Sequence, residues 1–250
     1  MSETMKRRAR LAEYVPWLAR DYLTNQGPAT ALVVLLIGYL QLLPILKGAA
    51  GRVSLGEVPL EIAVRILGML LPALIFLGTF FATNGIIAND RKFNFYRFLF
   101  AKPVNPLTYY SVVFAVYGAG VLIVTLALFG IWSLAVRPML PAEIFLILPV
   151  MYLAYGGIGF LLSAAWRFDW VSLVTALLAA NIAWEMFGDT PWPARALLYL
   201  FPPVHRASDV YTLDFDKPFP LESLLWLAGY GALCFALGLV VLRKRPMGTS

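Results

Sequence analysis

The chain has 250 residues, 60% hydrophobic and 14% charged, with a formal net charge of +6 and a mean hydropathy of +0.76. A soluble domain carries roughly 45–50% apolar and about 25% charged residues, so a single water-exposed globule of this length is excluded. The cations sit between apolar runs, which points to a membrane surface and not to nucleic acid. His205 and Cys234, the only residues of their kinds, lie in different segments and build no zinc or haem site without carboxylates or a second chain.

Residues 1–26 form a polar, basic leader that departs from the form of a cleaved signal peptide. Within it Leu11, Val15, Leu18 and Tyr22 recur at helical spacing, and Tyr14 and Trp17 add interfacial anchors. An amphipathic helix on the membrane surface is expected there. Six uncharged stretches follow, at about 27–46, 66–88, 107–136, 144–166, 170–184 (a span over 170–187 with the interface) and 223–242. A helix needs about 20 apolar residues to cross the hydrocarbon core, and each stretch is expected to cross once. The fifth is the shortest and gains length only with Glu185 to Phe187 at the interface. The fold class is therefore an all-α integral membrane protein of one domain over residues 1–250.

Between the second and third stretches lies the loop 89–106, NDRKFNFYRFLFAKPVNP. It interleaves Arg91, Lys92, Arg97 and Lys102 with Phe93, Phe95, Tyr96, Phe98 and Phe100. Phe93, Tyr96 and Phe100 share one side of a helix, and Lys102-Pro103 ends it, because the residue before proline is pushed out of helical geometry. Such a helix either lies on lipid or docks its apolar face into a partner's cleft with cations at the rim. Between the fifth and sixth stretches, 188–222 is proline-rich and locally acidic. Its apolar piece LLYLFPPV, residues 197–204, reads as a re-entrant segment, not a crossing.

Six crossings place both termini on one side. With the termini cytoplasmic, thirteen of the twenty Lys and Arg residues fall inside, including the four of the 89–106 loop. The positive-inside rule favours that orientation. Polar residues within the spans are few. Asn84 and Asn181 are read as helix-bridging amides or as markers of a polar path. Glu185 is read as an interfacial carboxylate or a pathway group. The sequence holds no GxxxxGK[ST], no HExxH and no GxSxG, so no nucleotide cradle, zincin site or nucleophile elbow is expected.

The layout of a basic surface helix, six spans and a long segment before the last span resembles the permease subunits of type-2 ATP-binding-cassette exporters. So does the loop, with Asn89-Asp90-Arg91 after span two and Phe98-Leu99-Phe100-Ala101-Lys102-Pro103 before span three. Asn94-Phe95 stands where that family often carries Gly-Thr. The resemblance implies a cytoplasmic ABC ATPase on another polypeptide, receiving the loop as a coupling helix through Asp90, Arg91, Lys92, Phe93, Phe95, Tyr96, Arg97 and Lys102. It implies ATP on that partner and no cofactor on this chain. It also implies a homodimer or heterodimer with a second permease, with short re-entrant helices closing the outer face. The substrate path would run beside spans two and five, with Phe80, Asn84, Asn181, Trp184 and Glu185 as candidates. Location in a bacterial or archaeal inner membrane follows from the same resemblance. The competing readings are an ATP-independent secondary carrier, which calls for ionisable groups at mid-membrane, and a membrane enzyme acting on lipids, which calls for a polar catalytic cluster.

Overall fold

A computed structural model describes residues 14–48, 60–83, 86–87, 90, 105–135, 142–166, 169–211 and 219–244. Among these residues there is no β-strand. Among the described residues, the α-helices numbered here in chain order run α1 Gly27–Gly48, α2 Leu60–Thr83, α3 Pro106–Ala135, α4 Ile144–Ala165, α5 Asp169–Phe187, α6 Val204–Tyr211 and α7 Leu221–Lys244. Three of them are long and apolar enough to cross a membrane, within Pro106–Ile131, Ile144–Ala165 and Leu221–Lys244. Shorter apolar helical stretches run Leu71–Thr83 and Ser172–Phe187.

Residues 14–21 are helical, pass through a π-helical stretch at Tyr22–Gln26, and continue directly into α1. The leader helix and the first apolar helix are thus joined without an intervening loop. A π-helical stretch widens the helix by one residue per turn and re-aims the side chains that follow it. Here it buries Tyr22 beside Leu18, while Val15 and Trp17 stay exposed.

Antiparallel alternation follows from the packing. At one end of the bundle Leu18 and Tyr22 meet Ala82, Ile86, Ile87, Tyr110, Ala164 and Leu242 in one core. At the other end Leu71, Phe129, Ile144, Ala207 and Leu224 form a second core. The first is called the loop end, because the 89–106 loop leaves from it, and the second the cap end.

The closest helix pair is α4 and α7. A methyl group built on Gly157 would strike the Gly231 carbonyl, and one on Gly231 would strike the Leu153 carbonyl. Two backbones touch there, the solution that membrane helices use where lipid removes the hydrophobic drive. Phe114 of α3 fills the wedge beside them, with Phe235 at 4.5 Å and Tyr152 at 4.9 Å between ring centroids. The Tyr152 hydroxyl donates to the Phe114 carbonyl at 2.7 Å and so removes the one polar atom from that apolar junction.

Large apolar side chains also cover the outside. Leu32, Leu36 and Leu40 of α1, Ile123 and Ile131 of α3, Leu178 and Ile182 of α5, and Leu233 and Leu237 of α7 are all exposed. A helix apolar on every side is at home in lipid, whereas water tolerates no such contiguous surface.

Candidate functional site

A cavity of about 420 Å³ opens among α2, α4, α5 and α6. On α5 the residues Val174, Leu177, Leu178 and Asn181 lie at i, i+3, i+4 and i+7, which places them on one helical stripe. Val204, Ala207 and Ser208 of α6 face them by the same spacing, and Phe76 of α2 and Tyr155 of α4 close the sides. Phe76 meets the Tyr155 ring edge-on at 5.7 Å, which fixes that corner. Asn181 and Ser208 are the polar members of the lining, and the rest is apolar except for the Tyr155 hydroxyl. The volume lies within the roughly 300–1,000 Å³ of small-molecule sites, and an apolar wall with few polar points is their usual make-up.

Of the path residues expected from sequence, Asn181 enters the cavity wall. Phe80 lies outside the cavity wall: it stacks on Phe76 at 6.2 Å, one turn nearer the loop end, and packs against Ile158, Leu173 and Cys234. Trp184 stands one turn beyond Asn181 on the α5 stripe, at the cap end. Glu185 is exposed. Asn84 lies outside the described residues. Sequence reading missed Phe76, Tyr155 and Ala207, because apolar and aromatic residues in an apolar helix carry no mark of which side they face.

The cap consists of a 3₁₀ helix at Ala194–Leu200, a bend through Phe201 and Pro202–Pro203, and α6. Paired prolines supply no N–H to continue a helix, so the chain breaks there. α7 holds the cap through Leu224 and Leu227, which share a core with Ala207 and Val210, through Trp226 against Tyr199 at 5.6 Å between centroids, and through polar contacts. The Tyr230 hydroxyl donates to the Leu200 carbonyl at 2.9 Å, Ser223 donates to Asp209 at 3.1 Å, and Arg206 pairs with Glu222 at 3.2 Å. α5 holds it through Trp184, whose indole lies 3.7 Å from the His205 ring and 5.7 Å from Tyr199, centroid to centroid. Burial and then Arg206 and Arg195 hold the His205 imidazole below its usual pKa, with Asp209 opposing.

At the loop end, Asp90 is half-buried and faces α3, where the Tyr110 hydroxyl donates to its Oδ2 at 2.8 Å. Burial is the main cause that pushes its carboxyl from 3.8 up to about 6, and the Tyr110 bond opposes it. Two turns further along α3, Tyr117 donates to Asp21 Oδ2 at 2.9 Å, and Asn25 donates to Asp21 Oδ1 at 2.7 Å. Asn105 caps α3, its Oδ1 accepting the Leu107 N–H at 3.0 Å. The first residue of the expected coupling set therefore joins the loop to α3, and the Asp21–Tyr117 pair joins α3 to the leader helix. Arg91, Lys92, Phe93, Phe95, Tyr96, Arg97 and Lys102 lie outside the described residues. The Asp21–Tyr117 pair was not foreseen, since its members are ninety-six positions apart in sequence.

No family model, no curated protein and no solved structure matches the chain.

Proposed function

We propose that this chain is the membrane-spanning permease subunit of an ABC exporter, moving a hydrophobic or amphipathic solute with ATP hydrolysed by a separate cytoplasmic subunit. In this reading α1 to α5 and α7 are six spans, both termini are cytoplasmic, and the 3₁₀ helix and α6 are the re-entrant closure of the outer face. A second permease, identical or sibling, completes the pathway in a bacterial or archaeal inner membrane. The observation that carries the reading is the apolar cavity between α2 and α5, closed at one end by short helices and lying opposite the Asp90 end of the loop.

The working sequence follows from that geometry. The solute enters the cavity from the apolar surroundings and is held by dispersion against Phe76, Tyr155 and the α5 stripe. The ATPase grips the loop through Phe93, Phe95 and Tyr96, with Arg91, Lys92, Arg97 and Lys102 at the rim. Loop displacement passes through Asp90 to Tyr110 on α3, and through Tyr117 to Asp21 on the leader helix, so two helices move with the motor. Release occurs when the cap parts from α5, to which it is linked by the Trp184 ring against His205 and Tyr199, while α6 stays with α7 through their shared core. Phe95→Ala with Arg97→Ala is expected to strip the ATPase from the purified complex and abolish stimulated ATP hydrolysis. A complex and an activity unchanged by both substitutions would sink the docking role.

A further inference from the structure

Asn181 is the only carboxamide side chain in the cavity wall. It is exposed, so its amide is reached through the cavity, and among the described residues that amide has no hydrogen-bond partner. Ser208, also in the lining, already donates its hydroxyl to the His205 carbonyl at 2.6 Å. Along α5 the lining runs from Val174 to Asn181, about 10 Å at the rise of an α-helix. Asn181 is its end nearer the cap, because Trp184, one turn on, meets the His205 ring. The rest of that stripe is Val174, Leu177 and Leu178. The wall of α5 is thus apolar over most of its length, with one amide at the cap-facing end.

That arrangement sorts solutes by the chemistry of their polar group. No Lys, Arg, His, Asp or Glu lines the cavity among the described residues. A charged head would therefore be buried without a counter-charge, which costs far more than burying a neutral group. In the permease reading the surroundings of α5 are hydrocarbon, where an unmatched amide finds no water. An ester accepts from the Asn181 NH2 and leaves Oδ1 unmatched. A hydroxyl presents a single oxygen and meets one of the two groups at good geometry. A primary carboxamide meets both at once: its carbonyl accepts from Asn181 Nδ2 while its N–H donates to Oδ1, two bonds in one plane.

We propose that the cavity takes an uncharged amphiphile bearing a carboxamide, which pairs with the Asn181 amide while its apolar body lies along Val174, Leu177 and Phe76. The inference rests on reading that cavity as the permease's solute site, and it names the class of solute.

The test uses the full chain in lipid nanodiscs, with empty nanodiscs as the partition control and tritiated decanamide as the probe. Unlabelled decanamide, 1-decanol, methyl decanoate and decanoate compete at matched concentrations in the bilayer. Decanamide is expected to displace the probe best, the alcohol and the ester about tenfold less well, and decanoate least. Asn181→Leu keeps the volume but loses both bonds, and should weaken decanamide about tenfold and bring it level with the ester. Val174→Phe fills the far end of the cavity, seven residues from Asn181, and should weaken amide and ester alike. Equal competition by ester and amide on the parent chain, or stronger competition by decanoate, overturns the carboxamide assignment. Undiminished decanamide binding to Asn181→Leu or to Val174→Phe overturns the site. Binding is read without any ATPase. A chain that binds decanamide as described but carries no ATPase partner keeps this site and loses the exporter reading, whereas a chain that carries the ATPase and shows no preference for the amide loses this site alone.

Discussion

Asp90→Asn is the substitution whose consequence the structure fixes most fully. Burial moves the Asp90 carboxyl from 3.8 to about 6 despite the Tyr110 hydrogen bond. Two units correspond to about 3 kcal/mol between the protonation states. The sign follows from proton uptake. Between pH 3.8 and 6 the folded chain keeps a proton on Asp90 that the unfolded chain has released, so stability is fully present below that window and falls as pH rises through it. Above pH 6 the ionised carboxylate is a standing cost of up to about 3 kcal/mol. Asparagine retains an Oδ1 acceptor for the Tyr110 hydroxyl and has no charge to desolvate. The variant should therefore unfold later than the parent at pH 7.5, by about 1–3 kcal/mol, and the two should converge near pH 4. Unfolding in a mild detergent at constant ionic strength, followed across that range, measures both features. Equal stability at pH 7.5, or a gap that persists at pH 4, would refute the burial account of Asp90. A stabilised variant that also uncouples ATP hydrolysis would show the carboxylate to be kept for coupling at the expense of stability.

The other expectations concern packing and the cap. Gly157→Ala drives a methyl into the Gly231 carbonyl; rigid backbone on both sides forces α4 and α7 apart, and a loss of about 1–3 kcal/mol should appear in detergent unfolding. Gly229→Ala, with open space at its Cβ, is the neutral control on the same helix. Tyr152→Phe removes the donor to the Phe114 carbonyl and should cost about 1 kcal/mol without changing the oligomeric state. His205 is held below its usual pKa, so the unfolded chain takes its proton first and stability is lost as pH falls below about 6.5. That acid-side loss should be smaller in His205→Phe, and an unchanged profile there would contradict the buried placement of the imidazole.

Long uncharged runs made the helices legible from sequence, because hydrocarbon length and apolar composition are local properties. The structure places helices on all six runs, although it begins α2 at Leu60, ahead of the expected residue 66, since Glu61 and Arg65 continue the helix without being apolar. The break at Pro202–Pro203 was legible for the same local reason. The cavity was not. Asn181 could be singled out as an amide in an apolar run, but Phe76, Tyr155 and Ala207 become a lining only when four helices converge. Trp184 read as a candidate for the substrate path, and its contact with the His205 ring, 3.7 Å between centroids, is visible only in the fold. Asp90 read as the first member of the coupling set, and in the fold it accepts from Tyr110 of α3. Long-range pairs such as Asp21 with Tyr117 leave no periodic mark in a single sequence.

The central claim is that the motor lies on another polypeptide and is held by the 89–106 loop. It is tested most directly by purifying the tagged full chain from its own membranes in mild detergent and measuring both composition and ATP hydrolysis. The account predicts a stoichiometric P-loop ATPase in the complex and hydrolysis that disappears when the loop carries Phe95→Ala and Arg97→Ala. A chain that purifies without such a subunit, and that transports solute in sealed vesicles lacking ATP, would contradict it.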